Sequence, residues 1–366
     1  MPCSAALLVL ALASGAAWTP AAPGHRWEFP ADHWTHPGYR NEWWYFTGTL
    51  SSLDDPGRRF GYQLTFFRVG LSPQRPAAGS AWAAADVLMG HAAVTDIAAG
   101  RHVFSEVLWR AIPLLSGFGA PPDPVLAWSR APPGTDACWE LRLAGEGFAL
   151  SAEDASREMA IRLDLVPTRP PVLQGPGGLS RKSGREGYAS LYYSLTRLAT
   201  EGTVTAGGRV HRVRGESWMD RELGSSQLAP DQSGWDWFGL RLADGRDLML
   251  YVLRGKDGAP DFRSGTLVDG EGRPRWMGSG DVAIRATGRW RSPVTGAEYP
   301  AGWEVEVASA GLSLRVEPEV SDQENRGGAA PFYWEGAVRV LDAAGRRVGE
   351  GHVELTGYGE GNRPPI

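Results

Sequence analysis

The sequence has little cysteine and no excess of positive charge, and each shortage excludes a class of protein. Only two of the 366 residues are cysteines, Cys3 and Cys138, so a disulfide-stapled scaffold is excluded. The formal net charge is -5 with both signs interspersed, and the chain lacks the basic stripe that would hold nucleic acid. We therefore expect no nucleic-acid partner. Cys138 is interpreted as a small buried apolar side chain and not as a reactive thiol.

Motifs for nucleophilic, metal and phosphate chemistry are also missing. There is no Gly-x-Ser-x-Gly elbow on a strand-to-helix turn, which argues against a serine hydrolase. The sequence has no His-Glu-x-x-His motif, no paired cysteines and no glycine-rich phosphate loop. His33 and His36 form a close pair, but their Pro/Gly-flanked position favours solvated or capping roles over metal ligation. The sequence thus predicts neither a metal site nor a cofactor.

Long apolar runs are lacking, and the one apolar run near the start is short. Residues 5–13 are apolar and residues 14–17 are small, which is the pattern of a cleaved export signal. The run is shorter than the ~20 apolar residues that span a bilayer. We therefore interpret residues 1–23 as a signal peptide. The mature protein is expected to be exported, periplasmic or secreted, and soluble after the signal is removed.

Glycine, proline and tryptophan are abundant. The chain contains 48 Gly, 27 Pro and 16 Trp, and short apolar runs punctuated by Gly and Pro are typical of all-β proteins. Apolar side chains alternate with a period of two in runs such as residues 43–48 and 62–67. Helical periodicity is confined to short stretches near Ser105–Ile112 and Asp154–Met159. The predicted fold class is all-β with a few short helices.

An internal repeat predicts two similar domains. The segment Trp43–Leu50 aligns with Trp235–Leu242, and in both copies a turn and a second apolar strand follow. A chain of 366 residues also has the length of about two domains. We predict an N-terminal domain over residues 24–229 and a C-terminal domain over residues 230–366.

The second strand of each repeat and one long irregular segment allow two further predictions. The second strand of each repeat ends in an arginine, Arg68 or Arg254, and we predict that both pair with acids at the ends of their barrels and do not bind ligand. The irregular segment Val166–Gly187 is too long for a hairpin turn. Long loops in compact domains are often functional, so we interpret this segment as a lid over a binding mouth.

One acid lies next to tryptophan in a pattern that suits proton transfer. On a strand, Trp218, Asp220 and Glu222 would share one face. An indole wall raises the pKa of a carboxyl by desolvation, so that the acid keeps a proton near neutral pH. Aromatic faces also stabilise a cation that forms over them. The simpler alternative is that Asp220 pairs with Arg221 or Arg214 and that the tryptophans only fill barrel cores.

Asp236 also lies next to tryptophan, but on the other face of its strand. Asp236 stands between Trp235 and Trp237, so on a strand the two tryptophans share one face and the acid takes the other. We therefore expect Asp220 to be the better proton donor and Asp236 to be a structural hydrogen-bond acceptor. Two tryptophans on one face would complete an apolar wall beside Asp220.

Six motifs occur in a fixed order between about His25 and the C-terminus. They are HPGYRNEWWYFTGTL, YQLTFFR, HAAVTD, YYSLTR, SWMDRELGS and GWDWFGLRLADGRDLMLY. Together they resemble the secreted AttH-like proteins, which are grouped with carotenoid 1,2-hydratase (hydroxyneurosporene synthase). The resemblance implies two lipocalin-like antiparallel β-barrel domains packed together, without a cofactor.

The resemblance also implies what the protein binds. Lipocalin-like barrels hold apolar molecules in a mouth or between domains, and aromatic walls suit a long isoprenoid or acyl chain. Two functions stay open: a cofactor-independent hydro-lyase acting on an isoprenoid alkene, or a non-catalytic lipid carrier of the cell envelope that works with an export system. The candidate catalytic residues are Asp220, as general acid, and Trp218. The candidate ligand-binding residues are Trp44, His91, Tyr192, Trp235, Trp237 and Tyr251, although strand-end hydrogen bonding for His91 and half-buried packing for Tyr192 are simpler roles.

Overall fold

The computed structural model describes residues 17–74, 80, 82–328 and 330–364. Most of the predicted signal peptide, up to residue 16, lies outside the described residues. Within the described ranges the protein is all-β, as predicted. No helix in these ranges is long and apolar enough to cross a membrane. The helical segments described are 3-10 turns of three residues each: Ala31–His33, Ala155–Arg157, Pro176–Gly178 and Ala308–Ala310.

Thirteen strands form the N-terminal sheet, which curls into a nearly closed barrel. In chain order they are β1 (Asn41–Ser52), β2 (Arg59–Gly70), β3 (Asp86–Asp96), β4 (Arg101–Arg110), β5 (Ser116–Phe118), β6 (Val125–Arg130), β7 (Cys138–Ala144), β8 (Gly147–Asp154), β9 (Met159–Pro167), β10 (Val172–Leu173), β11 (Leu179–Arg181), β12 (Ala189–Ala206) and β13 (Arg209–Ser226). The spatial order is β4-β3-β2-β1-β13-β12-β9-β8-β7-β6-β5, and β10 and β11 pair with β12.

Ten strands form the C-terminal sheet, which closes only half a barrel. The strands of this half are β14 (Gln232–Leu242), β15 (Asp247–Gly255), β16 (Pro260–Val268), β17 (Pro274–Met277), β18 (Ala283–Ala286), β19 (Arg289–Arg291), β20 (Glu298–Pro300), β21 (Trp303–Val307), β22 (Leu312–Pro318), β23 (Glu324–Asn325), β24 (Tyr333–Leu341) and β25 (Arg347–Leu355). The spatial order is β17-β16-β15-β14-β25-β24-β22-β21-β18, with β23 on β24, while β19 and β20 form a separate pair. The chain passes from one sheet to the other between β13 and β14.

The two sheets repeat one strand order and one register. Strands β1, β2 and β13 of the N-terminal half correspond to β14, β15 and β25 of the C-terminal half. The residues that pair across these strands match in the same way: Phe46 with Phe238, Leu64 with Leu250, and Met219 with Val353. The predicted equivalence of the hairpins that start at Trp43 and Trp235 is confirmed.

Three sequence-based expectations need correction at the level of single segments. Most of the stretch Ser105–Ile112 lies in β4 and is not helical, because its side chains alternate between the barrel core at Val107 and the exposed surface at Leu108. In the stretch Asp154–Met159, helix is limited to one 3-10 turn, which Asp154 caps. Cys138, expected to be buried, is exposed at the start of β7.

Apolar side chains of the described residues form three clusters. One fills the N-terminal barrel and includes Trp44, and one fills the C-terminal half-barrel and includes Phe238. The third lies between the halves and combines Tyr45 and Trp218 with Trp237 and further aromatic and aliphatic side chains. Tyr45 follows Trp44 directly, and Trp237 precedes Phe238, so strand alternation sends neighbouring residues to different clusters.

Both strand-end arginines pair with acids, as predicted, but Arg68 also borders the cavity between the two halves. Arg68 lies 2.7 Å from Glu42 and 2.9 Å from Asp86. Arg254 Nε donates to Asp236 Oδ1 at 2.9 Å. Asp236 therefore lies on the opposite face of its strand from the tryptophans that flank it, as alternation requires.

Polar contacts also join the two halves. Gln63 Nε2 of β2 donates to the Tyr333 hydroxyl of β24 at 3.0 Å. The Thr95 hydroxyl of β3 donates to Gln323 at 3.1 Å. Gly61 lies so near Ala337 that a Cβ at position 61 would stand 2.8 Å from the Ala337 Cβ. The outer face of β1, β2 and β3 thus packs directly against the C-terminal half.

Candidate functional site

A cavity of about 440 Å³ lies between the two halves, outside both barrel cores. This volume is in the range of small-molecule sites, which are mostly apolar with a few polar groups. Apolar walls are provided from both sides, by Trp43, Phe67 and Met89 from the N-terminal half and by Trp235 and Leu253 from the C-terminal half. The cavity therefore matches the expected position of an apolar ligand between the domains.

Asp220 lines this cavity and is held by neutral donors only. Its Oδ1 accepts hydrogen bonds from the Trp218 indole N–H at 2.7 Å and the Ser194 hydroxyl at 2.5 Å. Its Oδ2 accepts one from the Tyr192 hydroxyl at 2.6 Å. The Trp237 indole N–H in turn donates to the Tyr192 oxygen at 3.2 Å, so both halves take part in this network.

Burial dominates the electrostatics of Asp220. Removal from water raises the pKa of this carboxyl to about 7, although the hydrogen bonds from Ser194, Tyr192 and Trp218 lower the pKa. The negative charge of Glu222, on the same face of β13, adds to the increase. A carboxyl with a pKa near the working pH is suited to give and take a proton, as a general acid must.

The arginine next to Asp220 does not pair with it. Arg221 points to the other side of β13, lies 4.1 Å from the centre of the Trp44 ring and pairs with the buried Glu42. It also donates to the backbone oxygen of Trp34 at 2.8 Å. Among the described residues Arg214 does not pair with Asp220 either, so the simpler alternative, in which an arginine neutralises Asp220, is not what the structure adopts.

Trp218 has a different position from the one expected. It is buried behind Asp220, 6.1 Å from the Trp237 ring in an edge-to-face contact, and is not among the residues that line the cavity. Its indole N–H stabilises the ionised carboxylate and so opposes the increase in pKa that an indole wall was expected to cause. The pKa of Asp220 is raised because the carboxyl is buried, and not because of the Trp218 indole.

The structure brings most of the candidate ligand-binding residues together and places one elsewhere. Trp44 lies in the core of the N-terminal barrel, where its indole donates to the His33 oxygen at 2.7 Å, because strand alternation turns it away from the cavity. The candidates that line the cavity are His91, Tyr192, Trp235, Trp237 and Tyr251.

The segment predicted to be a lid lies at the cavity but is firmly attached. It contains β10 and β11, which pair with β12. The Tyr251 hydroxyl donates to the Arg181 oxygen at 2.5 Å, and Lys182 reaches Glu222 at 3.1 Å. The Lys182 ammonium also lies 5.0 Å from the Tyr192 ring centre and 4.7 Å from that of Tyr251. A cation of the segment thus closes one side of the cavity.

Glu354 also lines the cavity and was not identified from the sequence. Burial raises its pKa to about 8, and the charges of Asp220 and Glu222 add to the increase, while a hydrogen bond with Trp235 lowers the pKa. The signal that could have found it is the internal repeat. When the alignment of the two halves is extended to the last strand of each, Glu354 takes the position that is equivalent to Asp220.

One group of side chains has the composition of a metal site. The ligating atoms of His25, Asp32 and His36 all lie within 4.8 Å of one another. Each histidine Nε2 contacts Asp32 Oδ1, at 3.2 Å from His25 and 2.8 Å from His36. His33, paired with His36 in the sequence, points away and bonds the Tyr193 hydroxyl at 2.6 Å. Two imidazoles and one carboxylate are ligands that divalent transition metals accept.

The chain is similar to known proteins over nearly all of its length. Residues 20–358 match the model of the AttH-like family. A crystal structure of an AttH from Nitrosomonas europaea shares 31% identity and a TM-score of 0.81, covering 93% of this chain and 99% of that one. Kievitone hydratase from Nectria haematococca has the same fold at 12% identity, with a TM-score of 0.66 and coverage of 93% and 96%. No curated protein matches the sequence at a significant level.

Proposed function

The chain belongs to the AttH-like family, and we propose that it is a cofactor-independent hydro-lyase that hydrates an alkene of an apolar, isoprenoid-like molecule. One observation carries this proposal: Asp220 lines an aromatic cavity and has a pKa of about 7. A carrier needs only the cavity, whereas alkene hydration also needs an acid that faces the ligand. Kievitone hydratase, a protein of the same fold, offers a precedent for hydration on this scaffold.

The reaction begins with proton transfer. Protonated Asp220 gives its proton to one alkene carbon, and the π electrons form the new C–H bond. The neighbouring carbon becomes a cation in a cavity lined by Trp43, Trp235 and Trp237, and an indole face in contact with a cation stabilises it by ~0.5–2 kcal/mol. Water then adds its oxygen to the cation, and the oxonium proton returns to the Asp220 carboxylate. The product is the alcohol, and the enzyme regains its starting protonation state.

Turnover in heavy-oxygen water tests the proposal. Purified protein is incubated with isoprenoid alkenes in H₂¹⁸O, and mass spectrometry follows incorporation of the label into an alcohol. We expect Asp220→Asn to reduce turnover by the ~10²–10⁴-fold contributed by a general acid while ligand affinity stays nearly unchanged. Asp236→Asn, on the far side of β14, is the matched control and should keep turnover.

The alternative is a non-catalytic carrier of lipid in the cell envelope that works with an export system. The aromatic cavity alone would serve that role. Mass spectrometry of molecules that co-purify after incubation with a lipid extract separates the two proposals. A ligand retained without incorporation of ¹⁸O would favour the carrier. We propose an exported location for either role, and the apolar run at residues 5–13 supports it.

A further inference from the structure

Glu354 occupies, in the C-terminal half, the position that Asp220 has in the N-terminal half. Asp220 pairs with Tyr45 across β13 and β1, and Glu354 pairs with Trp237 across β25 and β14. Tyr45 and Trp237 precede the two matched phenylalanines, and their rings meet edge to face at 5.2 Å. Both acids line the same cavity. The duplication has therefore placed one carboxyl from each half on a shared site.

The surroundings of the two carboxyls differ. Where Asp220 has Ser194 as its cross-strand partner on β12, Glu354 has a second acid, Glu335 on β24. Burial and the charge of Glu354 raise the pKa of Glu335 well above its usual range. Tyr45 lies beside Glu335 and lowers this pKa, but no hydrogen bond of normal geometry joins them, and both carboxyl oxygens are buried without a partner.

Burial raises the pKa of both carboxyls, that of Glu354 to about 8, and so favours the protonated form of Glu354 at neutral pH. Cross-strand neighbours have Cβ atoms ~5 Å apart, and two buried carboxylates at that distance cannot both ionise. Among the described residues no lysine or arginine forms an ion pair with Glu354 or Glu335. A protonated carboxyl has an O–H that donates a hydrogen bond, which a carboxylate cannot do.

A further polar group lies on the same wall. A row of paired residues crosses the N-terminal sheet from Asp220 to Tyr45, Thr65 and His91. The Nδ1 of His91 bonds the Tyr333 hydroxyl at 2.7 Å, and its Nε2 is buried without a partner. Burial lowers the pKa of His91 to about 3, so the ring is neutral. His91, which lines the cavity, thus has one ring nitrogen without a hydrogen-bond partner.

We propose that Glu354 is a second polar contact for the ligand, which donates a hydrogen bond to a ligand oxygen, so that the ligand is an oxygenated apolar molecule and not a hydrocarbon. The oxygen belongs to an alcohol, a phenol or a ketone, since each accepts a hydrogen bond. A hydrocarbon ligand would displace water from the Glu354 carboxyl and the His91 ring. Their polar atoms would then have no hydrogen-bond partner, which is unfavourable in a buried site. The inference rests on the proposed binding of an apolar ligand in this cavity.

Two probes with one carbon skeleton test the inference. Farnesol carries a hydroxyl, and farnesene is the corresponding hydrocarbon. Their binding is followed by quenching of the fluorescence of Trp43, Trp235 and Trp237, which line the cavity. We expect the wild type to bind farnesol about tenfold more tightly than farnesene, which corresponds to ~1.4 kcal/mol.

Variants assign the preference to one side chain. Glu354→Leu should abolish the tenfold preference, whereas Glu354→Gln, which keeps an N–H donor, should retain most of it. Glu306→Leu, at an exposed glutamate of β21, should behave as the wild type. Thermal melting of each variant confirms that it is folded.

The outcomes separate this inference from the proposed function. Equal affinity for both probes in the wild type overturns the role of Glu354 but leaves an apolar binding site in place. A preference that survives in Glu354→Leu overturns the role of Glu354 as well, because another group then supplies the donor. Failure of the wild type to bind either probe contradicts the proposed function itself, and the inference fails with it.

Discussion

Two buried acids of this protein show how the kind of partner determines the charge of a carboxyl. Burial would raise the pKa of Glu42, but the charge of Arg221, the hydrogen bond to His36 and the charge of Arg68 outweigh it and lower the pKa to about 2. Asp220 receives three hydrogen bonds from neutral groups, which do not outweigh burial, and its pKa is about 7. Neutral donors therefore orient the Asp220 carboxyl without removing its ability to hold a proton.

The raised pKa of Asp220 predicts a pH-dependent stability. In the unfolded chain this carboxyl ionises near its ordinary value of 3.8, but in the folded protein only near 7. Between these values the folded state binds the extra proton, so the contribution of Asp220 to stability is largest at low pH and decreases as pH increases. The free energy of unfolding of Asp220→Asn minus that of the wild type should increase by at most ~1.4 kcal/mol per pH unit.

Urea denaturation of both proteins between pH 4 and pH 8 measures this difference. Asn is a suitable replacement because its amide can donate to Tyr192 while its oxygen accepts from Trp218 and Ser194. A difference that does not change across this pH range would show that the carboxyl is not desolvated in the folded protein.

Arg68 should contribute to stability because of its buried pairs. Its side chain is 2% exposed and contacts two carboxylates, Glu42 and Asp86. Arg68→Met leaves Glu42 with one cation fewer, and breaking a buried pair costs ~3–5 kcal/mol. Thermal or urea unfolding measures the loss, with Arg142→Met as a control at an exposed position. Unchanged stability together with lost ligand binding would contradict the structural role of Arg68.

At the scale of strands, sequence alternation predicts which residues share a face but not which face is the barrel core. Alternation correctly separated Asp236 from Trp235 and Trp237. It also separates Trp44 from Tyr45, yet both faces of β1 are apolar because one fills the barrel and the other meets the C-terminal half. Trp44 was therefore expected at the ligand, while Tyr45, its neighbour, is the residue that lines the cavity.

Some residues of the site could be recognised only once the pairing of the strands was known. Asp220 was identified from the sequence because tryptophan stands two residues before it. Glu354 has no such neighbour, and the sequence points to it only through the repeat extended to the last strand. Its surroundings depend on cross-strand pairing with Trp237 and Glu335, which are far apart in sequence. Local alternation and the repeat were sufficient to predict an all-β chain with two similar halves, whereas the barrels were implied by the resemblance of the ordered motifs to a known family.

Lys182 should hold the segment between β9 and β12 against the cavity. Lys182→Met removes its ion pair with Glu222 and its contacts with two tyrosine rings. We expect the backbone amides of residues 178–184 to exchange hydrogen at least several-fold faster, because local opening then breaks fewer contacts. Hydrogen exchange with mass spectrometry measures this change. Lys256→Met, at an exposed lysine, is the control, and equal exchange in both variants would contradict the role of Lys182.

At the scale of the whole molecule, the contact between the halves depends on small residues. A Cβ at position 61 would stand 2.8 Å from that of Ala337, closer than ordinary side-chain contacts. Gly61→Ala should lower the free energy of unfolding by ~1–3 kcal/mol, as overpacking does. The double variant Gly61→Ala/Ala337→Gly should recover most of the loss in urea denaturation. A double variant as unstable as the single one would place the strain within β2 and not between the halves.

Tyr192 connects the acid to the way in which the halves are docked. Its hydroxyl donates to Asp220 within the N-terminal sheet and accepts from Trp237 of the C-terminal sheet. If the halves separated by the width of a water molecule, solvent would reach the carboxyl and its pKa would decrease toward that of an ordinary aspartate. The carboxyl would then lose its proton at neutral pH, so Asp220 is an acid only while the two sheets are closed around it. If Asp220 is the proton donor of the proposed reaction, proton donation therefore depends on the docking of the two halves, and a variant that loosens this docking should lose activity even where Asp220 itself is unchanged.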